Sequence, residues 1–289
     1  MSIAYLNGDY LPLAEAQISP LDRGFMFADG IYEVIPVYAG CPFRLTEHLT
    51  RLAYSLAEVA IRNPFTVKEW SNICHQLVDL NGGGNLSIYL QITRGTPQVR
   101  DHAFPQNETP ATVFAMVHPM TIPTTQPQHN QGFSAITLQD LRWARCDIKS
   151  IALLPNILMR QQAASQNATE AILLKNGNAV EGAASNLFIV KDGVIITAPL
   201  GPEILGGITR DVIIELCQQH QLALIERSIA ETELRSAEEI WITSSTREVV
   251  PIVSLDGQPV GLGTPGPVWQ KVAYYYTQFR RQLCGLEPL

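Results

Sequence analysis

Lysine is scarce in this chain. Five lysines stand against fifteen arginines in 289 residues, and charged residues of all kinds make up only 16%. With a net charge of −7 at pH 7, the chain lacks the positive field that nucleic acid or an anionic membrane would need in a partner. No apolar stretch approaches the ~20 residues that span a bilayer. The start, Met1-Ser2-Ile3-Ala4-Tyr5-Leu6-Asn7, has neither the basic nor the apolar region of a signal peptide, so a cytoplasmic protein is expected. Cys41, Cys74, Cys146, Cys217 and Cys284 are odd in number, widely spaced and form no Cys-x-x-Cys. They are expected as buried thiols in a reducing compartment, with neither disulfides nor a metal site.

What is present is an ordinary globular composition, 46% apolar, in a chain longer than one core usually supports, so two domains are expected. Residues 1–118 read as a small α+β domain. Ile3 to Leu6 and Tyr32 to Tyr38 have the composition of strands, and Leu49, Leu52, Leu56 and Val59 recur at helical spacing from Thr46 to Ala60. A capping box, Thr66-Val67-Lys68-Glu69, opens a second helix that Asn81-Gly82-Gly83-Gly84 stops. Residues 119–132, with three prolines and no periodicity, read as a linker. Residues 133–289 read as a larger, strand-rich domain with hairpin turns at Asn176-Gly177 and Asp192-Gly193 and helices over Asn156 to Gln166, Thr209 to His220 and Val268 to Leu283. Gly261-Leu262-Gly263-Thr264-Pro265-Gly266 matches a dinucleotide fingerprint as a string. It contains a proline and does not follow the first strand of a βαβ unit, so that reading fails.

Lys149 stands apart from the other four lysines. Arg142, Arg145, Trp143 and the apolar run from Ile151 to Leu154 surround it in sequence, and both burial and positive charge favour the neutral amine that attacks a carbonyl. The alternative is a surface lysine beside a strand end. Leu205-Gly206-Gly207-Ile208-Thr209 runs through glycines into a periodic helix, which would offer free N–H groups at Ile208 and Thr209 to a phosphate; an ordinary loop-to-helix junction is the alternative. Glu181 sits among small residues that would let a ring nitrogen approach, or is a surface carboxylate. Ser245 lies in a hydroxyl-rich turn after a strand, and Arg51 on the flank of the first long helix. Arg100 and His102 alternate, so in an extended backbone they project from one side and could fork a carboxylate, or form a solvent-facing basic loop.

Together these residues resemble the fold-type IV pyridoxal phosphate enzymes, most closely the D-amino-acid aminotransferases among them. The likeness runs from Asp22-Arg23-Gly24 through Ile31-Tyr32-Glu33-Val34 and His48-Leu49-Thr50-Arg51 to Ser245-Thr246-Arg247-Glu248. Its most specific pieces are Cys146-Asp147-Ile148-Lys149-Ser150 and Gly207-Ile208-Thr209-Arg210-Asp211. The resemblance implies a two-domain α+β / α/β fold with pyridoxal 5'-phosphate between the domains. It makes Lys149 the Schiff-base lysine and proton shuttle, and Glu181 the partner of the pyridine nitrogen. It places Arg51, Ile208, Thr209 and Ser245 at the phosphate and Leu205 against the ring. Tyr32, Arg100 and His102 become a trap for the substrate carboxylate, with the Arg-x-His loop supplied by the second subunit of a homodimer. The reaction implied is ping-pong transamination, with D-alanine and 2-oxoglutarate as the expected pair. Branched-chain L-aminotransferases share the frame but tend to carry Gly and Arg where Val34 and Pro36 stand, and a tyrosine where Leu154 stands. Aminodeoxychorismate lyases share the lysine and the glutamate. A non-catalytic binder of a phosphorylated ligand is the reading from outside enzymology.

Overall fold

Side-chain alternation builds the first sheet. In the strand Leu86–Thr93, residues 86, 88, 90 and 92 are buried while 87, 89 and 91 are half-exposed, the period of two that buries one face. The computed structural model of the protein describes residues 2–105, 109–122 and 131–287. The chain forms two units: Met1–Thr121 together with Ile148–Leu153, and Ile122–Asp147 together with Leu154–Leu289.

The first unit is a six-stranded sheet. Its strands β1 (Ile3–Leu6), β2 (Asp9–Pro12), β3 (Gly30–Tyr38), β4 (Cys41–Pro42), β5 (Leu86–Thr93) and β6 (Thr112–Pro119) lie in the order β2-β1-β6-β5-β3-β4. A short helix α1 (Arg23–Phe27) precedes β3. Helix α2 (Leu45–Glu58) buries Leu49, Leu52 and Leu56 as its periodicity requires, and α3 (Val67–Leu80) begins at the Thr66–Glu69 capping box with both reciprocal bonds formed. Both helices pack on the sheet through a core that includes Ile31, Ile35, Leu52, Trp70 and Ile88.

The second unit takes β7 (Phe133–Gln139), β8 (Glu170–Lys175), β9 (Asn178–Gly182), β10 (Asn186–Lys191), β11 (Val194–Thr197), β12 (Leu224–Glu226), β13 (Ile229–Ala230), β14 (Glu239–Ser244), β15 (Glu248–Leu255) and β16 (Gln258–Pro259). The sheet order β12-β11-β10-β14-β15-β7-β8-β9-β13 closes on itself, because β9 also pairs with β10 through Glu181↔Asn186. The circuit β10-β14-β15-β7-β8-β9 is therefore a barrel. Ile172, Leu187, Ile189, Ile240, Ile242 and Ile252 form its apolar cluster. The hairpin turns after β8 and β10 have positive φ at Asn176, Gly177, Asp192 and Gly193, the backbone that their Asn-Gly and Asp-Gly pairs favour. Helices α4 (Leu154–Ser165), α5 (Ile208–Gln219), α6 (Glu231–Arg235) and α7 (Pro267–Leu283) complete the unit.

Three sequence expectations meet a different arrangement. Ile148–Leu153 groups with the first unit and not with the strand-rich one. The cause is backbone pairing: Ile31 bridges Ser150, the Tyr32 N–H donates to the Lys149 carbonyl at 2.9 Å, and the Ile151 N–H to the Gly30 carbonyl at 3.1 Å. The expected linker at 119–132 begins inside β6, and its residues 123–130 lie outside the described residues. All five cysteines are free, but Cys41 and Cys284 are only half-buried. Among the described residues, no helix is long and apolar enough to cross a membrane.

Candidate active site

The first unit gathers Lys149, Tyr32, Glu33, His48 and Arg51. The pairing of residues 149–151 along β3 fixes the lysine's backbone, and its N–H donates to Ser55 Oγ at 3.2 Å. Its Nζ lies 4.1 Å from the centre of the Tyr32 ring, which itself stacks on Tyr89 at 5.8 Å. The arginines that neighbour it in sequence form ion pairs within the second unit. Arg145 pairs with Asp147, and Arg142 with Asp140 and Glu181. Within its own unit Lys149 thus meets an aromatic face and a hydroxyl.

Arg51 reaches down from α2 to β3. Its Nε and Nη2 donate to the two oxygens of Glu33 at 2.7 and 2.8 Å, a bidentate fork on a carboxylate with no solvent exposure. His48 Nδ1 stands 2.9 Å from the same carboxylate. Burial opposes ionisation of Glu33, but the Arg51 guanidinium, helped by His48, holds its carboxyl far below the ordinary range. For His48, burial outweighs the attraction of Glu33 and lowers the imidazole pKa. Glu33 and His48 stand within the strings that carry the resemblance, but sequence assigns them no role, showing only a charge inside an apolar strand and a polar residue on the inner face of a helix.

In the same unit, Arg100 and His102 are exposed and both meet Phe27: the Arg100 guanidinium lies 4.7 Å from its ring centre and the His102 ring 5.2 Å away. Their loop hangs from Arg23, which is 3% exposed. Arg23 donates to the carbonyls of Asp101 (2.6 Å), His102 (3.1 Å) and Ala103 (3.1 Å) and to Asp29 at 2.7 Å. Asp29 also receives Arg94. Tyr32 is thus set against Lys149 and Tyr89, whereas Arg100 and His102 are set against Phe27.

The second unit gathers Glu181, Leu205, Ile208, Thr209 and Ser245. Glu181, at the barrel closure, is 3% exposed. One oxygen accepts from Arg142; the other accepts from Asn186 Nδ2 at 3.0 Å and from the Leu205 N–H at 3.1 Å. Burial pushes its carboxyl up to about 7, against the pull of Arg142. Asn186 ties the group together by donating also to the Leu205 carbonyl at 2.7 Å. Gly207 is the N-cap of α5, and no side chain caps it. A Cβ on Gly207 would stand 1.9 Å from Asn186 Oδ1, so a glycine is required where α5 begins. Ile208 and Thr209 follow as buried first-turn residues. Ser245 is half-buried in the three-residue turn that joins β14 to β15.

These features suit the group that the resemblance implies. A buried carboxyl raised to about 7 is one that a protonated ring nitrogen would return to its charged form. A glycine-led helix start without a side-chain cap offers N–H groups to a phosphate.

A sheet of six strands with two covering helices, joined in one chain to a barrel that buries a carboxylate at its closure, is the fold of the type IV aminotransferases. Residues 30–255 match the amino-transferase class IV family, and the chain belongs to it. The chain is 42% identical over 266 residues to the D-alanine aminotransferase of Bacillus licheniformis, covering 92% of this chain and 93% of that one. It is 38% identical to that of Staphylococcus aureus (strain MW2), covering 94% and 95%. Among solved structures, the branched-chain amino acid aminotransferase of Escherichia coli aligns with a TM-score of 0.90 at 26% identity, covering 96% and 94%. The T.th. enzyme of the same name, complexed with N-(5'-phosphopyridoxyl)-L-glutamate, aligns with a TM-score of 0.87 at 26% identity, covering 99% and 95%.

Proposed function

We propose that the protein is a pyridoxal 5'-phosphate-dependent D-amino-acid aminotransferase that passes the amino group of D-alanine to 2-oxoglutarate. The observation that carries the reading is the placement of Lys149, whose backbone is clamped to β3 while its amine rests on the Tyr32 ring. The family membership and the likeness to D-alanine aminotransferases over more than nine-tenths of their length support it. When bound, the cofactor supplies an aldehyde for the substrate amine and a ring that withdraws electrons from Cα.

The chain's own residues divide the remaining work. Lys149 would hold the cofactor through its amine and, when that amine is free, would move the proton at Cα. Glu181 holds the proton on the pyridine nitrogen. Ile208 N–H, Thr209, Ser245 and Arg51 would hold the phosphate, and Leu205 would serve the ring. Glu33 keeps the Arg51 fork in one orientation. Tyr32, with Arg100 and His102 from the second subunit of a homodimer, holds the substrate carboxylate. The exposure of Arg100 and His102, on a loop that Arg23 pins, supports such a donated role. The free cysteines support a reducing, cytoplasmic location.

Branched-chain L-transamination is the second reading, favoured by the fold of the solved structures at lower identity. The purified protein is expected to be yellow, to shift its visible band on adding D-alanine, and to release pyruvate with 2-oxoglutarate. Turnover of L-leucine alone would transfer it to the second reading, pyruvate from 4-amino-4-deoxychorismate alone to the lyases, and a colourless, unresponsive protein to the binders. Borohydride should fix the cofactor to Lys149, and Lys149→Ala should abolish the labelling.

A further inference from the structure

The turn Ser245-Thr246-Arg247 ends on a residue that should not be where it is. Ser244 pairs with Glu248, so the hairpin closes in three residues and the next position takes a left-handed backbone. Glu248 has φ +57, a conformation that glycine adopts freely and a glutamate adopts at a cost. Its side chain is 1% exposed and receives the guanidinium Nη1 of Arg280, itself 3% exposed, from near the end of α7. The same helix is fastened to the same hairpin at its start. The Glu239 carboxylate on β14 accepts the N–H groups of Val268 at 2.9 Å and Trp269 at 2.7 Å, and Trp269 Nε1 donates to the Val249 carbonyl at 3.2 Å. The glycine string before α7 serves this fastening, since a Cβ on Gly266 would stand 2.1 Å from the Glu239 carboxyl carbon. The partner of Arg247 on the other flank of the turn is Glu170, fully buried, at 3.7 Å.

We infer that α7 is a strut for the turn that carries Ser245, and that Glu248 and Arg280 are positioning residues for the cofactor phosphate. A left-handed glutamate persists because its carboxylate has to meet Arg280; a glycine would suit the backbone but would detach the turn from the helix. Neither residue of the pair is among those assigned to the ring or to the substrate. Its effect must therefore fall on the phosphate interaction and not on the chemistry at the lysine. The inference rests on the assignment of Ser245 to the phosphate.

The test uses the holoenzyme and three variants, Glu248→Gly, Arg280→Leu and Arg280→Lys. The readouts are the rate of cofactor loss on gel filtration, the affinity of the stripped protein for pyridoxal 5'-phosphate, and its affinity for pyridoxal, which lacks the phosphate. Glu248→Gly and Arg280→Leu are expected to weaken pyridoxal 5'-phosphate about tenfold or more, to leave pyridoxal binding unchanged, and to keep the visible band of the loaded enzyme. Arg280→Lys should recover most of the loss, since the cation is kept. Because Glu248→Gly relieves the backbone cost but takes the carboxylate away from the buried Arg280, the double variant Glu248→Gly/Arg280→Leu is measured alongside and should show the same selective loss if either single variant does not fold. Equal weakening of both ligands, or no weakening in Glu248→Gly, would overturn the inference. If wild-type protein itself bound the two ligands equally, the phosphate assignment would fail first, separately from the strut.

Discussion

Two buried carboxylates carry opposite pH signatures. Glu33 is held far below its ordinary value of 4.5 by Arg51 and His48. The folded state thus binds fewer protons there than the unfolded state. Its contribution is complete above about pH 4.5 and is lost as the pH falls below it. Glu33→Gln should flatten the acid side of the stability profile and cost on the order of 3 kcal/mol at pH 7, the penalty for leaving a buried partner unpaired. Urea unfolding at pH 3 to 7 checks both; an unchanged acid slope would refute the assignment. Glu181 runs the other way. Raised from 4.5 to about 7, it binds more protons folded than unfolded. Stability of the cofactor-free protein should then fall as the pH climbs from about 4.5 to 7 and level off above, by about 3 kcal/mol in all at ~1.4 kcal/mol per unit. Unfolding of stripped protein between pH 5 and 8 measures this, and Glu181→Gln should abolish the slope.

At the scale of elements, Arg23 holds the backbone of the loop from Asp101 to Ala103. Arg23→Met removes three carbonyl contacts from it and the bond to Asp29. The apparent affinities for D-alanine and 2-oxoglutarate should drop about tenfold, or ~1.4 kcal/mol, with the cofactor fully bound. Unaltered KM values for both would separate the loop from the substrate carboxylate. The elements themselves were largely legible in sequence. The Thr66–Glu69 box, the Asn-Gly and Asp-Gly turns and the apolar stripe of α2 act within a few residues, and each formed where its local chemistry required. Lys149, Glu181 and the glycine-led approach to α5 draw attention for the same reason, each standing in a distinctive short string, and their roles belong to the proposed function. What could not be read depends on distant pairing. Arg23 finds its loop 78 to 80 residues away. Arg51 turns to Glu33 across 18 residues, and Arg142 to Glu181 across 39. Those guanidinium–carboxylate contacts decide where charge resides in each unit, and only the folded chain forms them.

For the whole molecule, a shared site makes a sharp forecast. If each site takes its lysine from one subunit and Arg100 from the other, the Lys149→Ala and Arg100→Ala proteins should each be nearly inactive alone. Mixed and allowed to exchange subunits, they should regain about a quarter of wild-type activity, since half the dimers are mixed and half of their sites are intact. No recovery after exchange, with mixed dimers detected by mass, would place Arg100 in its own subunit's site. The pairing of Ile31 with Ser150 has a consequence for how such a chain comes to exist. That contact spans 150 − 31 = 119 residues, so it forms late, after much of the chain is available. Until then the Gly30–Tyr32 stretch of β3 presents bare amides on the flank opposite β5, an invitation to any passing strand. Misassembly during synthesis should concentrate there. A fragment ending at residue 121 should aggregate through that edge, and a peptide spanning residues 148–153 should suppress the aggregation by occupying the gap.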